Sequence, residues 1–309
     1  MSPLKTTKAF LRRSLNDSAR VSGKFKRYHT SAEGAVGSVA STGGTIFEPG
    51  NGYRYHFFTD DSASEDLVVS QATTYDVFMV GGGGGGGGQA GGGGGAGGAR
   101  EISNVPFNTG TFAMNVGSGG PDSPPNGRGV AGDDTTVVYT GGTYTAAGGG
   151  YGGGGSGIQP GGDGGSGGGG RQSTPSPADI PAGDGNVPPQ SPPQGNPGAV
   201  GTPAGGGAGG GAGAAGSGGV GGDGISAFSA DPGIPPSYGT PNPGAPGRWF
   251  AGGGGGTRDS GNGGVGGGGN NAQPGTTNTG GGGGGAPNPG TGRAGGSGII
   301  ILRQSVYAN

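Results

Sequence analysis

Near-pure glycine runs recur along this chain, at residues 81–98, 148–157, 161–170, 205–224, 252–256, 261–269, 280–285 and 295–298. Glycine brings no side chain to bury and loses more conformational entropy on ordering than any other residue. Such runs are therefore either uncoupled linkers or backbones packed so closely that their N–H and C=O groups satisfy one another. The runs have no fixed period, and the every-third glycine of collagen is absent. Their interruptions are small: Ala90, Ala96, Ser156, Ser166, Ala208, Ala212 and Ser217. Strand-like residues abut them directly, Val80 before Gly81 and Phe250-Ala251 before Gly252. A linker needs neither feature. The expectation is a bundle of stacked glycine-rich helices of the polyglycine-II type, with three residues per turn and outward-pointing backbone groups.

The rest of the composition limits the alternatives. Of 309 residues 93 are Gly and 25 are Pro, only 27% are hydrophobic, and the formal net charge is −2. A core of ordinary size is out of reach, and so is the charge that usually keeps a disordered chain in solution. There is no Cys, and the two histidines, His29 and His56, lie far apart, so no metal site is expected. No apolar run approaches a membrane span. The basic N-terminus lacks the apolar stretch of a secretory signal.

Charge is concentrated at the start. Residues 1–30 hold Lys5, Lys8, Arg12, Arg13, Arg20, Lys24, Lys26 and Arg27 against Asp17 alone, whereas the remainder carries 8 basic and 17 acidic residues. Ser2-Pro3 suits a helix start, with Leu4, Leu11 and Leu15 near one face. Residues 1–43 read as a basic, helical docking arm and linker, and 44–309 as a glycine-rich body.

Within the body, 44–80 is conventional β territory. Tyr53, Tyr55 and Phe57 alternate with Arg54 and His56, the pattern of a half-buried strand, and Pro49–Gly52 supplies a turn. Strands are predicted at 45–48, 53–58, 67–70, 75–80, 112–116 and 135–139, with a closing strand within 299–303. The fold class read here is mainly β plus a polyglycine-II helix bundle, on a small sandwich-like base. Glycine tracts fill 81–298, interrupted by two variable Pro-rich loops. Loop 171–203 holds nine Pro, and 225–250 holds six Pro with Phe228, Tyr238, Trp249 and Phe250. The second loop reads as too irregular to join a sheet or a tract. Trp249 and Phe250 read as packed beneath the bundle, whereas Tyr238, Pro235 and Asn242 are receptor-contact candidates.

Catalytic motifs are not readable. The many G-x-G-x-x-G matches follow from composition, and no G-K-[ST] follows any of them. Gly161-Gly162-Asp163 and Gly221-Gly222-Asp223 approach a calcium β-roll repeat without its nine-residue recurrence. Asp60-Asp61 and Asp133-Asp134 read as turn markers. Arg-Gly-Gly triplets are absent and the body is acidic, against nucleic-acid binding. No enzyme, cofactor or metal is expected.

The run Tyr75–Val80 entering Gly81–Gly88 resembles the glycine-rich domain of phage tail and fibre proteins. Later landmarks are similar in order: Phe112–Gly117 with Ser118-Gly119-Gly120, Trp249–Gly252, Asn278-Thr279-Gly280 and Gly295–Arg303. A more distant likeness is to the polyglycine-II tip adhesins of T-even-like phages, although these lack an ordinary β region and a basic arm. Mycobacterial glycine-rich surface proteins share the tracts but have a helical N-terminal domain. The resemblance implies a virion-surface protein, on tail or capsid exterior. Residues 1–30 would dock on other virion proteins, a homotrimer would suit a fibre, and the loops would meet a host glycan or outer-membrane protein. A capsid decoration protein and a cell-wall or matrix protein are the alternatives.

Overall fold

The computed structural model describes residues 41–173, 179–259 and 261–306. The predicted helical arm and its eight basic residues lie outside the described residues. Thirteen strands follow in order: β1 Ser41–Thr42, β2 Thr45–Phe47, β3 Tyr53–Phe58, β4 Glu65–Val69, β5 Thr73–Val80, β6 Ala99–Phe107, β7 Gly110–Asn115, β8 Thr135–Tyr139, β9 Gly142–Ala146, β10 Ile225–Ser226, β11 Thr240–Asn242, β12 Ala245–Phe250 and β13 Ile299–Ser305. They form three antiparallel sheets, ordered β1-β4-β7-β8-β9, β2-β3-β13-β5-β6 and β10-β12-β11.

Strand β13 explains the architecture. It enters between β3 and β5, with Ile301 opposite Phe57 on one side and Phe78 on the other. Everything from 81 to 298 is thus inserted between two neighbouring strands of one sheet. Its Ile-Ile-Ile-Leu run does not alternate because both faces are buried. Ile300 and Leu302 join Phe58, Val77 and Met79 against Leu67, Val69, Met114 and Val137 of the first sheet. Ile299 and Ile301 join Tyr55, Phe57, Phe78 and Val80 on the opposite face, against Phe228, Ile234 and Phe250. A continuous apolar run is the mark of such a doubly buried strand. The same double burial corrects the half-buried reading of β3, since His56 is fully buried.

The expected helix bundle on a small base is overturned. Among the described residues the fold is mainly sheet, and its helix is the three-residue 3-10 turn Ala227–Ser229. The tract residues carry no regular helix or strand, and their hydrogen bonds run between separate glycine segments, the two arms 81–88 and 91–98 of the first tract among them. A glycine chain forms intrachain helical bonds at maximal entropic cost, and neighbouring segments supply most of the partners instead. Gly81, Gly84 and Gly87 donate to Gly98, Gly95 and Gly92. Gly82, Gly85 and Gly88 donate to Asp133, Val130 and Gly127, and Gly83 and Gly86 to Gly296 and Arg293, all at 2.8–3.0 Å. Partners rotate every third residue, so each tract bonds in three directions.

Tract 91–98 is the interior one. Segments 81–88, 147–153, 166–169, 207–210, 252–256 and 280–286 surround it by donated or accepted bonds, and all its residues are buried. The spacing leaves no methyl-sized gap. A Cβ on Gly94 would fall against Gly84 O, 2.6 Å from that carbonyl carbon and 2.9 Å from Gly85 O. At the perimeter, exposed aspartates replace missing neighbours. Asp163 Oδ1 accepts from Asp184 N at 2.7 Å, Asp223 from Val265 N at 2.9 Å, Asp134 from Gly148 N at 2.8 Å and Asp122 from Ala294 N at 2.7 Å. The two Gly-Gly-Asp triplets therefore cap lattice edges.

Segment 225–250, read as too irregular for a sheet, contains β10, β11 and β12. Its prolines fall in or beside a short three-stranded sheet, where the absent N–H is tolerated.

Candidate functional site

The body has two unlike ends. β5 runs from Thr73 into Gly81 and β13 from Gly298 to Ser305, so the glycine tracts leave the sheets at one edge. Ser41 pairs with Val69, and Ser305 with Tyr53. Ser41 and Ser305 thus both lie at the strand ends away from the tracts.

At the other end the tracts turn. The turn Gly88–Gly91 is met by several tract-joining segments at once. Gly88 N donates to Gly127 O, Gln89 N to Gly290 O and Gly91 N to Ala286 O. Gly88 O accepts from Gly155 N, and Ala90 O from Gln172 N. Thr257 Oγ1 reaches Gly91 O at 3.2 Å. The segments near 124–128, 155–160, 171–173, 257–259 and 286–290 therefore share one end face. Arg128 lies over the Tyr151 ring at 4.7 Å and donates to its hydroxyl at 3.2 Å. Ile158 is 74% exposed.

The sequence-predicted contact residues are elsewhere. Tyr238 stacks on Phe57 with centroids 4.1 Å apart and planes 4° apart, beside the apolar face of β3 and β13. Pro235 is half-buried and Asn242 likewise, its Oδ1 accepting from Gly244 N at 2.9 Å in a turn. Arg248 donates to the carbonyls of Tyr238, Pro236 and Gly239. Phe250 is buried between tract and sheet, whereas Trp249 stays half-exposed. The other Pro-rich loop is divided: Gln172 lies at the loop end, while Gln194 accepts from Ala99 N and Ala147 N at the sheet end.

An ionic hub unseen in the sequence fastens 225–250 to the sheet. Arg303 donates to Asp76 and Asp231, both at 2.8 Å, and its guanidinium lies 4.6 Å from the Tyr53 centroid and 4.3 Å from that of Phe228. Tyr55 hydroxyl donates to Asp231 at 2.8 Å. Burial alone would raise the Asp231 carboxyl, but Arg303, Gly233 N–H and Tyr55 hold it below the usual range. Sequence separation hid this hub, although an arginine ending an apolar strand was its one trace.

A second polar chain is wholly internal. Tyr75 hydroxyl donates to Ser41 Oγ at 2.7 Å, Ser41 faces His56 Nε2 at 3.2 Å, and His56 Nδ1 faces Gly43 O at 2.8 Å. A neutral imidazole with its proton on Nδ1 satisfies every partner. Burial holds the His56 pKa below its ordinary value. The Ser–His pair has the composition of an activated nucleophile, but both residues are buried and face only protein. It organises structure. No group of three or more His, Cys, Asp or Glu is placed to hold a metal among the described residues, and no helix among them is long and apolar enough to cross a membrane.

Comparison with known families matches residues 59–305 to a family described as a glycine-rich domain. The match spans β4 to β13 and every glycine tract. No curated protein matches the chain.

Proposed function

This chain belongs to the glycine-rich domain family, and from that premise we propose that it is a non-enzymatic structural subunit of a phage virion. In this reading it is a tail-fibre or adhesin component. Its basic N-terminal arm docks on other virion proteins, and the loops between its glycine tracts meet the host surface. The supporting observation is the polarity of the body. Ser41, the first described residue, pairs with Val69 at the strand ends remote from the tracts, while the tract-joining segments gather at the opposite face. A close-packed backbone array holds those segments rigidly, which lowers the entropy lost on binding.

A second reading, capsid decoration without receptor contact, is favoured by one observation. Tyr238 and Arg248, in the segment first read as the contact loop, are engaged in internal packing. The test is competition. Excess full-length protein should block adsorption of the parent particle, whereas a version with 155–160 and 286–290 replaced by Gly-Ser of equal length should not. Blocking by neither removes the adhesin reading in favour of decoration, and equal blocking by both refutes these two segments as the contact surface. Deleting residues 1–30 should abolish incorporation, and normal copy number of the truncated chain on particles would refute the docking role.

A further inference from the structure

We infer that Arg171 and Ser173, on the loop-end face, form a binding site for an oxyanion carried by a sugar, the carboxylate of a sugar acid or the phosphate of a phosphosugar. The inference rests on the reading of that face as a contact surface and names the chemistry it would recognise.

The site departs from how this protein treats its other cations. Among the described arginines, Arg54, Arg258, Arg293 and Arg303 each pair with a carboxylate, and Arg100 and Arg128 lie over tyrosine rings. Arg248 donates to three carbonyls. Arg171 is only 8% exposed. It nevertheless enters no ion pair among the described residues, and its Nη1 donates to Gln172 O at 2.8 Å while its Nε has no partner. Burial lowers its pKa from the usual arginine value, with no neighbouring carboxylate acting the other way. A buried guanidinium without a counter-charge is costly unless something supplies one.

Two further side chains on this segment and the one bonded to it are orphaned. Ser173 Oγ, in a residue 1% exposed, has no partner, and neither has Gln89 Oε1. Gln172 N donates to Ala90 O at 3.0 Å, which sets the two segments side by side. A guanidinium donor and a hydroxyl donor thus stand two residues apart on one segment, with an amide acceptor on the segment bonded to it, and no carboxylate among the described residues pairs with the guanidinium. An oxyanion suits the first two, and a sugar hydroxyl suits the third.

The test uses the purified full chain, with inorganic phosphate, galacturonate and galactose as probes, read by calorimetry and by the shift in melting temperature. Phosphate or galacturonate should bind and raise the melting temperature, and galactose alone should do neither. R171M should weaken binding by at least about tenfold, the equivalent of one charge-assisted hydrogen bond. S173A, which removes no protein hydrogen bond, keeps the question answerable if R171M folds poorly; it should weaken binding and leave the unliganded melting temperature unchanged. Preference between phosphate and galacturonate identifies the source of the oxyanion. Binding of neither anion, or undiminished binding by a folded R171M or by S173A, overturns the inference. Adsorption is measured separately on particles, so a chain that blocks adsorption but ignores both anions would sink this site alone.

Discussion

Replacing Gly94 by alanine tests the glycine array at its centre. Its N–H donates to Gly283 O at 2.8 Å, its carbonyl accepts from Gly254 N at 2.9 Å, and an added Cβ would lie 2.6 Å from the Gly84 carbonyl carbon. Ordinary contact begins near 3.4 Å and the nearest atom, Gly84 O, would lie at 2.0 Å, so tract 81–88 would have to retreat by roughly 1.4 Å, as in other overpacked interiors. That retreat strains the Gly84–Gly95 and Gly87–Gly92 bonds, both 2.9 Å. Overpacking costs about 1–3 kcal/mol, and two weakened backbone bonds add about 1 kcal/mol each. The expected loss is about 3–5 kcal/mol, a fall in melting temperature of roughly 10 °C for a body of this size. Thermal denaturation followed by circular dichroism measures it. Gly244→Ala is the control, because its Cβ would meet only Asn242 Oδ1 at 3.6 Å; it should be neutral or slightly stabilising. Equal melting temperatures for Gly94→Ala and the control would refute the close-packed array.

Arg303→Met should destabilise by about 3 kcal/mol, because it leaves Asp76 and Asp231 without their partly buried cation; adding Asp231→Asn should recover part of the loss, and strictly additive effects in urea unfolding would argue against the hub. His56 has a folded pKa below its unfolded value, so the unfolded chain binds the proton first and stability falls as pH drops below about 6.5. His56→Gln should flatten that slope in melting curves between pH 7 and 5, and an unchanged slope would reject the assignment. Tyr238→Ala should cost about 2 kcal/mol through loss of the Phe57 stack without weakening adsorption by the intact particle; the reverse pattern would restore Tyr238 as a contact residue.

Much of the sheet was legible locally. Tyr53–Phe58 and Thr135–Tyr139 form strands over the predicted residues, and Ile299–Leu302 begins β13, because β-branched and aromatic patterning acts within a few residues. β6 and β9 escaped notice: Ala99–Phe107 carries polar residues and a proline, and Gly142–Ala146 is small and polar. Both are strands because partners across the sheet supply their hydrogen bonds.

The candidate sites were much less legible. Tyr238 was visible as an aromatic among prolines, but its stacking on Phe57 brings together residues 181 positions apart. Arg171 looked like any charge after a glycine tract, since its burial and missing counter-ion exist only once distant segments enclose it. Sequence by itself determined that the glycine runs needed very close neighbours, since nothing but backbone was available to satisfy backbone. It could not determine which neighbours. One glycine is chemically identical to the next, so the tracts carry no register of their own. Tertiary structure decided register, through strands that launch the tracts from one sheet edge and aspartates that cap the lattice perimeter.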